Sequence, residues 1–344
     1  MALDPVPWAI GGGAHNSVEG ARLSLFAATG GKGGVMSPTD MQVTALPVPG
    51  GAVRVHTGGA VVISGYPGAS SQAYAVREMD STDVDITATG SSGSRRSYLV
   101  ARIRDHQYSG EPAPDSVEDG PYNSYEWMSQ HPRTNPPAYP VELLARVDQP
   151  ANTQTITQNM ITDMRRLANP RREEVMIARP RVNSDQFGSF SRTTADGGEI
   201  FPGTTGSEGS HVRLTIPEWC TQLIIEAYWL SVRYAAGTNP VGQMWVEFGD
   251  EYRPWTWPGN RQFERATQQF NFDSPGSSNN VMRTNWIVHD SVPVPKKFRG
   301  KQISFVLKAG FNTSASFGSV SMDGLSGTSM RVTYAEAPIT EHAL

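Results

Sequence analysis

Ala52-Val-Arg-Val-His56 alternates apolar and polar residues with a period of two, the pattern of a strand with one face buried. Upstream, Met41-Gln-Val-Thr-Ala-Leu46 and Ala21-Arg-Leu-Ser-Leu-Phe-Ala27 read the same way. Downstream come Ala60-Val-Val-Ile-Ser64, Gln72-Ala-Tyr-Ala-Val-Arg77, Val84-Asp-Ile-Thr-Ala88 and the longest, Arg96-Ser-Tyr-Leu-Val-Ala-Arg-Ile-Arg104. Turn clusters separate them: Gly30-Gly-Lys-Gly-Gly34, Pro49-Gly-Gly51, Thr57-Gly-Gly59 and Gly90-Ser-Ser-Gly-Ser94. Short strands at this spacing predict an antiparallel sandwich or barrel. A Pro-, Gly- and acid-rich excursion from about Gly110 to Pro137 reads as a surface loop returning through a last strand, Tyr139 to Val147.

A second β-rich region opens at Val212-Arg-Leu-Thr-Ile-Pro217 and continues through Leu223–Tyr234, Gln243–Phe248, Gln268–Phe272, Val281–Val288, Gln302–Lys308 and Ser329–Tyr334. Between the two regions the spacing predicts a helix from about Thr155 to Ala168. Thr155 and Gln158 have capping-box spacing, Ile156, Met160, Met164 and Leu167 form a narrow apolar stripe, and Pro170 stops it. So short a helix is weak alone. The preferred reading is a trimer interface through that stripe, with docking on a neighbouring sheet as the alternative. Residues 171–210, polar and rich in Ser, Gly and Arg, read as an irregular linker.

The expected architecture is therefore mainly β, with two antiparallel β-sandwich-like domains joined by a short central helix and an irregular linker. The boundaries are 1–150, 151–170, 171–210 and 211–344. At 344 residues the chain has room for two such cores, and its 34 Gly and 25 Pro favour turns and short strands.

The net charge of −4 argues against a nucleic-acid partner. Five Lys against 24 Arg favours forked polar contacts, of which subunit interfaces are one use. The single cysteine, Cys220, excludes an intramolecular disulfide and reads as a buried thiol. The start, MALDPVPW, lacks the basic and apolar regions of a signal peptide, and no run approaches the ~20 apolar residues that cross a bilayer. No membrane insertion is expected, and synthesis in the cytoplasm is.

No nucleophile elbow, zinc-protease pair, P-loop or dinucleotide fingerprint stands in a suitable context. Gly30-Gly-Lys-Gly-Gly34 lacks the residues that complete a phosphate loop, and the seven His (15, 56, 106, 131, 211, 289 and 342) show no metal-ligand spacing. Neither a cofactor nor a metal is expected, and no catalytic residue is assigned. Asp250, Glu251, Glu264 and Asp273 lie among aromatics, which keeps a glycan hydrolase as an alternative. Six of eight Trp fall between residues 219 and 286. Trp229 and Trp245 are expected in a core. Tyr252, Arg253, Trp255 and Trp257 sit in a Pro- and Gly-flanked segment, where flat rings could stack on sugars while Arg253 bonds hydroxyls. Closure of one end of the sandwich by these Trp is the competing reading.

The order Gly20-Ala-Arg-Leu-Ser-Leu-Phe-Ala-Ala-Thr-Gly-Gly31, Met41 to Val55, Gln72 to Arg77, Ile86 to Asp105 and Ile156 to Arg171 is similar to that of actinobacteriophage minor tail proteins. The resemblance spans roughly residues 18–172. It implies an N-terminal β-domain attached to the tail tip, a trimerising helix, a variable host-facing domain, and distant kinship with upper baseplate proteins of phages of Gram-positive hosts. It implies a homotrimeric virion protein contacting other tail-tip proteins; host cell-wall glycan as a partner rests on the Trp cluster, and the reading as a non-enzyme on the missing catalytic motifs. A purely architectural subunit is the remaining alternative.

Overall fold

The computed structural model describes residues 9, 12–13, 15–69, 71–179, 190–203, 210–235, 239–249, 264–272, 281–316 and 319–338. The chain is mainly β and divides into two compact units, 1–170 and 171–336, apart from a few C-terminal residues.

The first unit holds the one α-helix among the described residues, α1 (Val18–Ala28), where a strand was expected over Ala21–Ala27. The Ser17 hydroxyl caps it by accepting the Gly20 N–H at 3.1 Å. Ala, Leu and Arg then sustain it. The Gly30–Gly34 run ends this helix. Gly31 has φ +72°, and a Cβ there would lie 2.8 Å from the Phe26 ring. Leu25 and Phe26 pack on Val61, Ala73 and Ala168.

The strands of this unit are β1 (Gly34–Val35), β2 (Val43–Ala45), β3 (Ala52–Val55), β4 (Gly58–Ile63), β5 (Ala73–Glu78), β6 (Thr82–Asp85), β7 (Arg95–Ile103), β8 (Asn123–Met128), β9 (Val141–Gln149) and β10 (Ile161–Asp163). They form three antiparallel sheets in the orders β1-β4-β5, β2-β3-β6 and β10-β9-β7-β8. Apolar faces of all three meet in one core built on Val35, Val53, Val55, Leu99, Leu144 and Val147. The excursion expected as a loop contributes β8, which pairs with β7 from Tyr98↔Met128 to Ile103↔Asn123.

The central helix does not form. Residues 158–160 make one 3₁₀ turn and Ile161–Asp163 is β10, paired with β9. The segment is rich in Thr, Asn, Asp and Ile, which lose more than straight-chain residues on entering a helix. Gln158, placed by spacing to close a cap, uses Oε1 to accept the Ala45 N–H at 2.8 Å. Ile156 and Leu167 are buried in the core of this same chain, and Met160 packs against it. Met164 joins a separate cluster with Tyr98, Val100 and Leu143. The four residues assigned to a trimer interface therefore do not form a common stripe, and two have no exposed face to offer.

The second unit is a two-sheet sandwich. Its strands are β11 (Arg172–Arg179), β12 (Glu199–Ile200), β13 (His211–Thr215), β14 (Gln222–Ala235), β15 (Val241–Gly249), β16 (Glu264–Asn271), β17 (Val281–Pro293), β18 (Gln302–Phe311), β19 (Val320–Ser321) and β20 (Gly327–Ala335). One sheet has the order β11-β20-β14-β17 with β19 beside β14; the other has β12-β18-β15-β16 with β13 beside β18. β11 corrects the expected linker: its Val175 and Ile177 face inward opposite Val332 and Met330. Alternate residues of both sheets fill the core, among them Ile225, Trp229, Val288 and Val332 from the first and Val246, Phe248, Phe305 and Phe311 from the second. Phe190 stacks on Phe311 at 4.1 Å between ring centres, and the Trp229 indole N–H donates to the Phe201 carbonyl at 2.7 Å. Cys220 is fully buried, its thiol donating to the Gln222 carbonyl, and burial pushes its pKa up to about 11.

Candidate functional site

β16 and β17 are terminal strands of their respective sheets, and a groove of about 820 Å³ runs along them. Gln269, Phe270, Asn271 and Phe272 contribute from β16 and its end; Thr284 to Ile287, His289 and Asp290 contribute from β17. Two local features set this geometry. On β15, Gly242 lies under the Phe270 ring, where a Cβ would approach to 2.5 Å, so the ring can lie against the strand. On β14, the register skips between Trp229 and Val232, a bulge that places Ser231 at φ +60°. The Asn285 carboxamide oxygen accepts the Ser231 N–H at 2.8 Å, which leaves the NH₂ as the donor end of the amide.

The aromatic floor is closed: Trp286 is 4% exposed, Phe270 5% and Phe272 8%, with Trp286 and Phe270 stacked at 4.4 Å. The buried Trp286 indole N–H has no acceptor among the described residues. At the rim, Ile287 is 46% exposed. Asp290 uses Oδ1 to accept the Ser291 N–H at 2.7 Å. Among the described residues the groove is thus lined by side chains with mixed donor and acceptor capacity around one carboxylate.

A second polar group lies on the outer face of the β12-β18-β15-β16 sheet. Trp245 faces away from the sandwich core, opposite Lys308, and its indole N–H donates to Glu247 Oε2 at 3.1 Å. Lys308 Nζ stands 3.4 Å from that oxygen, and both ionic side chains are at most 1% exposed. His211 Nε2 and Ser304 Oγ are 3.0 Å apart on the same face; burial first, then Arg213, holds the imidazole below the ordinary histidine range. Ser304 is 3% exposed, so no substrate carbonyl could reach its hydroxyl as this face stands.

In the first unit the densest polar network joins α1 to the sheets. Arg22 pairs with Asp105 at 2.6 Å and lies over the Tyr74 ring, whose hydroxyl donates to the same carboxylate. Tyr66 stacks on Tyr108 and accepts the Asp105 N–H at 2.9 Å; burial pushes the Tyr66 pKa up to about 12. Arg102 spans Glu111 and Glu126 over the Tyr139 ring, holding the excursion down. These contacts are intramolecular and position structure.

Of the residues singled out from sequence, Tyr252, Arg253, Trp255 and Trp257 lie outside the described residues, as do Asp250, Glu251 and Asp273. Trp229 is core as expected; Trp245 is buried on the opposite face of its sheet. Asn285, Trp286 and Asp290, which line the groove, carry no motif. Among the described residues no group of His, Cys, Asp and Glu is arranged to hold a metal, and no helix is long and apolar enough to cross a membrane.

No protein-family model matches the chain, and no curated protein matches its sequence. Among solved structures, the VP2 subviral particle of infectious bursal disease virus is 10% identical, with 88% of this chain and 71% of that one covered, at a TM-score of 0.25. The T13 particle of the same virus gives 9%, 89%, 70% and 0.24. A Cry1Da tryptic core variant of Bacillus thuringiensis gives 12%, 92%, 54% and 0.16. TM-scores this low do not establish a common fold.

Proposed function

We propose that this chain is a structural, non-enzymatic protein of a phage virion, placed at the tail tip. Its N-terminal unit attaches to other tail-tip proteins and to copies of itself, while the C-terminal sandwich faces the host and contacts envelope glycan. One observation carries this reading. The stretch that resembles minor tail proteins, residues 18–172, coincides with the compact unit that closes at Pro170, and the chain beyond it builds a separate core. A shared attachment unit followed by an independent second unit is the organisation that the resemblance implies. Self-association in this reading uses surfaces of the N-terminal unit, with no helical seam.

The test is electron cryomicroscopy of whole virions combined with an adsorption assay. Density for both units at the distal end of the tail, and competition of adsorption by the soluble chain, are the expected results. Density in the head shell, or absence from the particle, overturns the placement. Release of reducing ends from cell-wall polysaccharide by the purified chain overturns the non-enzymatic reading.

A further inference from the structure

We infer that the groove along β16 and β17 is a binding site for an uncharged, hydroxyl-rich saccharide chain. This rests on the reading that the sandwich contacts glycan, and goes beyond it by naming the residues and the class of sugar. A hydroxyl group is at once donor and acceptor, so a site for it needs both kinds of partner at fixed positions. Asn285 is held by Ser231 with its NH₂ available to donate. Asp290 has Oδ1 engaged by the Ser291 N–H, leaving Oδ2 to accept. Trp286, 4% exposed with its indole N–H buried, forms the floor beneath these polar groups and does not itself face a ligand. Gln269 and Asn271 add amides from the facing strand.

The lining also discriminates among ligand classes. Among the described residues it contains no Lys or Arg, one carboxylate, Asp290, and one imidazole, His289, so phosphate-bearing or uronic-acid polymers meet repulsion from Asp290 with only a histidine to offset it. The nearest strand cation on β17, Arg283, is engaged by Asp323 through two bonds of 3.0 and 2.5 Å. An extended peptide depends on pockets for alternate side chains. Here the aromatic floor is closed and Ile287 alone offers much apolar surface. Ordered hydroxyls satisfy this lining better than either competitor.

The experiment is affinity electrophoresis of the full chain in native gels containing dextran, mannan, galactan or xylan, with hyaluronate as the anionic probe. The wild type is compared with Asn285→Asp and Asp290→Ala. The first variant keeps the oxygen that holds Ser231 and loses the NH₂ donor; both sites are exposed, and melting curves verify the fold. At least one neutral polymer is expected to retard the chain, hyaluronate not, and each variant to bind at least tenfold more weakly with unchanged melting. Retardation that both variants retain overturns the groove assignment while leaving glycan contact standing. Stronger retardation by hyaluronate than by any neutral polymer overturns the uncharged class. Retardation by none of the five overturns glycan contact itself, and the groove assignment with it.

Discussion

Arg22 Nη2 lies 2.6 Å from Asp105 Oδ2, joining helix α1 to the end of β7 across 83 residues of chain, with side chains only 12% and 9% exposed. Tyr74 donates its hydroxyl to the same oxygen at 3.0 Å. Removing one member of such a pair strands a charge in a poorly solvated place, which costs more than the intact pair contributes. Arg22→Ala is therefore expected to destabilise the first unit by about 3 kcal/mol. Arg22→Ala combined with Asp105→Asn recovers much of that loss. Urea unfolding of the single and double variants checks this; a double variant no more stable than Arg22→Ala would defeat the explanation.

Glu142 titrates abnormally. It is buried, and desolvation lifts its pKa to about 7 despite Arg133 at 3.2 Å and the more distant Arg166. Between the ordinary carboxylate value near 4.5 and about 7, the folded chain holds a proton that the unfolded chain has released. Stability from this group is thus present below the unfolded pKa and lost as pH rises through the folded one. The drop from pH 4.5 to 8 is about 3 kcal/mol in size. Glu142→Gln should flatten that slope; unfolding midpoints at pH 5 and pH 8 measure it, and a wild-type slope retained in the variant excludes Glu142 as the source.

Cys220 combines full burial with a pKa near 11, so little thiolate exists at pH 8 and reagent cannot reach it. A disulfide-exchange reagent is expected to modify the native chain negligibly over an hour and to titrate one thiol after denaturation. Rapid stoichiometric labelling of native protein would show that the β14 end of the sandwich opens.

Lys308 and Glu247 form an ion pair at most 1% exposed. Lys308→Met should destabilise the second unit by about 3 kcal/mol, because it removes one member of a buried ion pair. The pair Lys308→Met with Glu247→Leu should lose less than the single change. Calorimetric melting distinguishes the two, and a harmless single variant would place this pair in water rather than in the interior.

The strands are legible because period-two alternation survives wherever one face is buried, as in Ala52–Val55 and Leu223–Tyr234. The sequence is ambiguous where two periods coexist. Ala21–Ala27 alternates like a strand, yet Ser17 three residues before Gly20 supplies a helix cap, and adjacent Leu25 and Phe26 both pack inward. Ile156, Met160, Met164 and Leu167 have helical spacing by coincidence, because long-range contacts such as Gln158 with Ala45 dictate the backbone there. Polar Arg and Glu at the ends of β11 hide the inward pair Val175 and Ile177. The groove is not legible at all. Its two walls come from different sheets, and their proximity follows from strand order, which no local pattern encodes.

The second unit begins with β11 and ends with β20, and these two strands pair from Arg172↔Ala335 to Arg179↔Thr328. Arg171 and Glu336 lock the junction, the guanidinium bonding both carboxylate oxygens at 3.0 and 2.7 Å. Both ends of the sandwich thus lie at one place, a single sheet edge apart. Recombination at that seam could replace the whole sandwich by another fold with adjacent ends while leaving residues 1–170 untouched. Such a chain could change the whole of its second unit by one crossover rather than by gradual substitution.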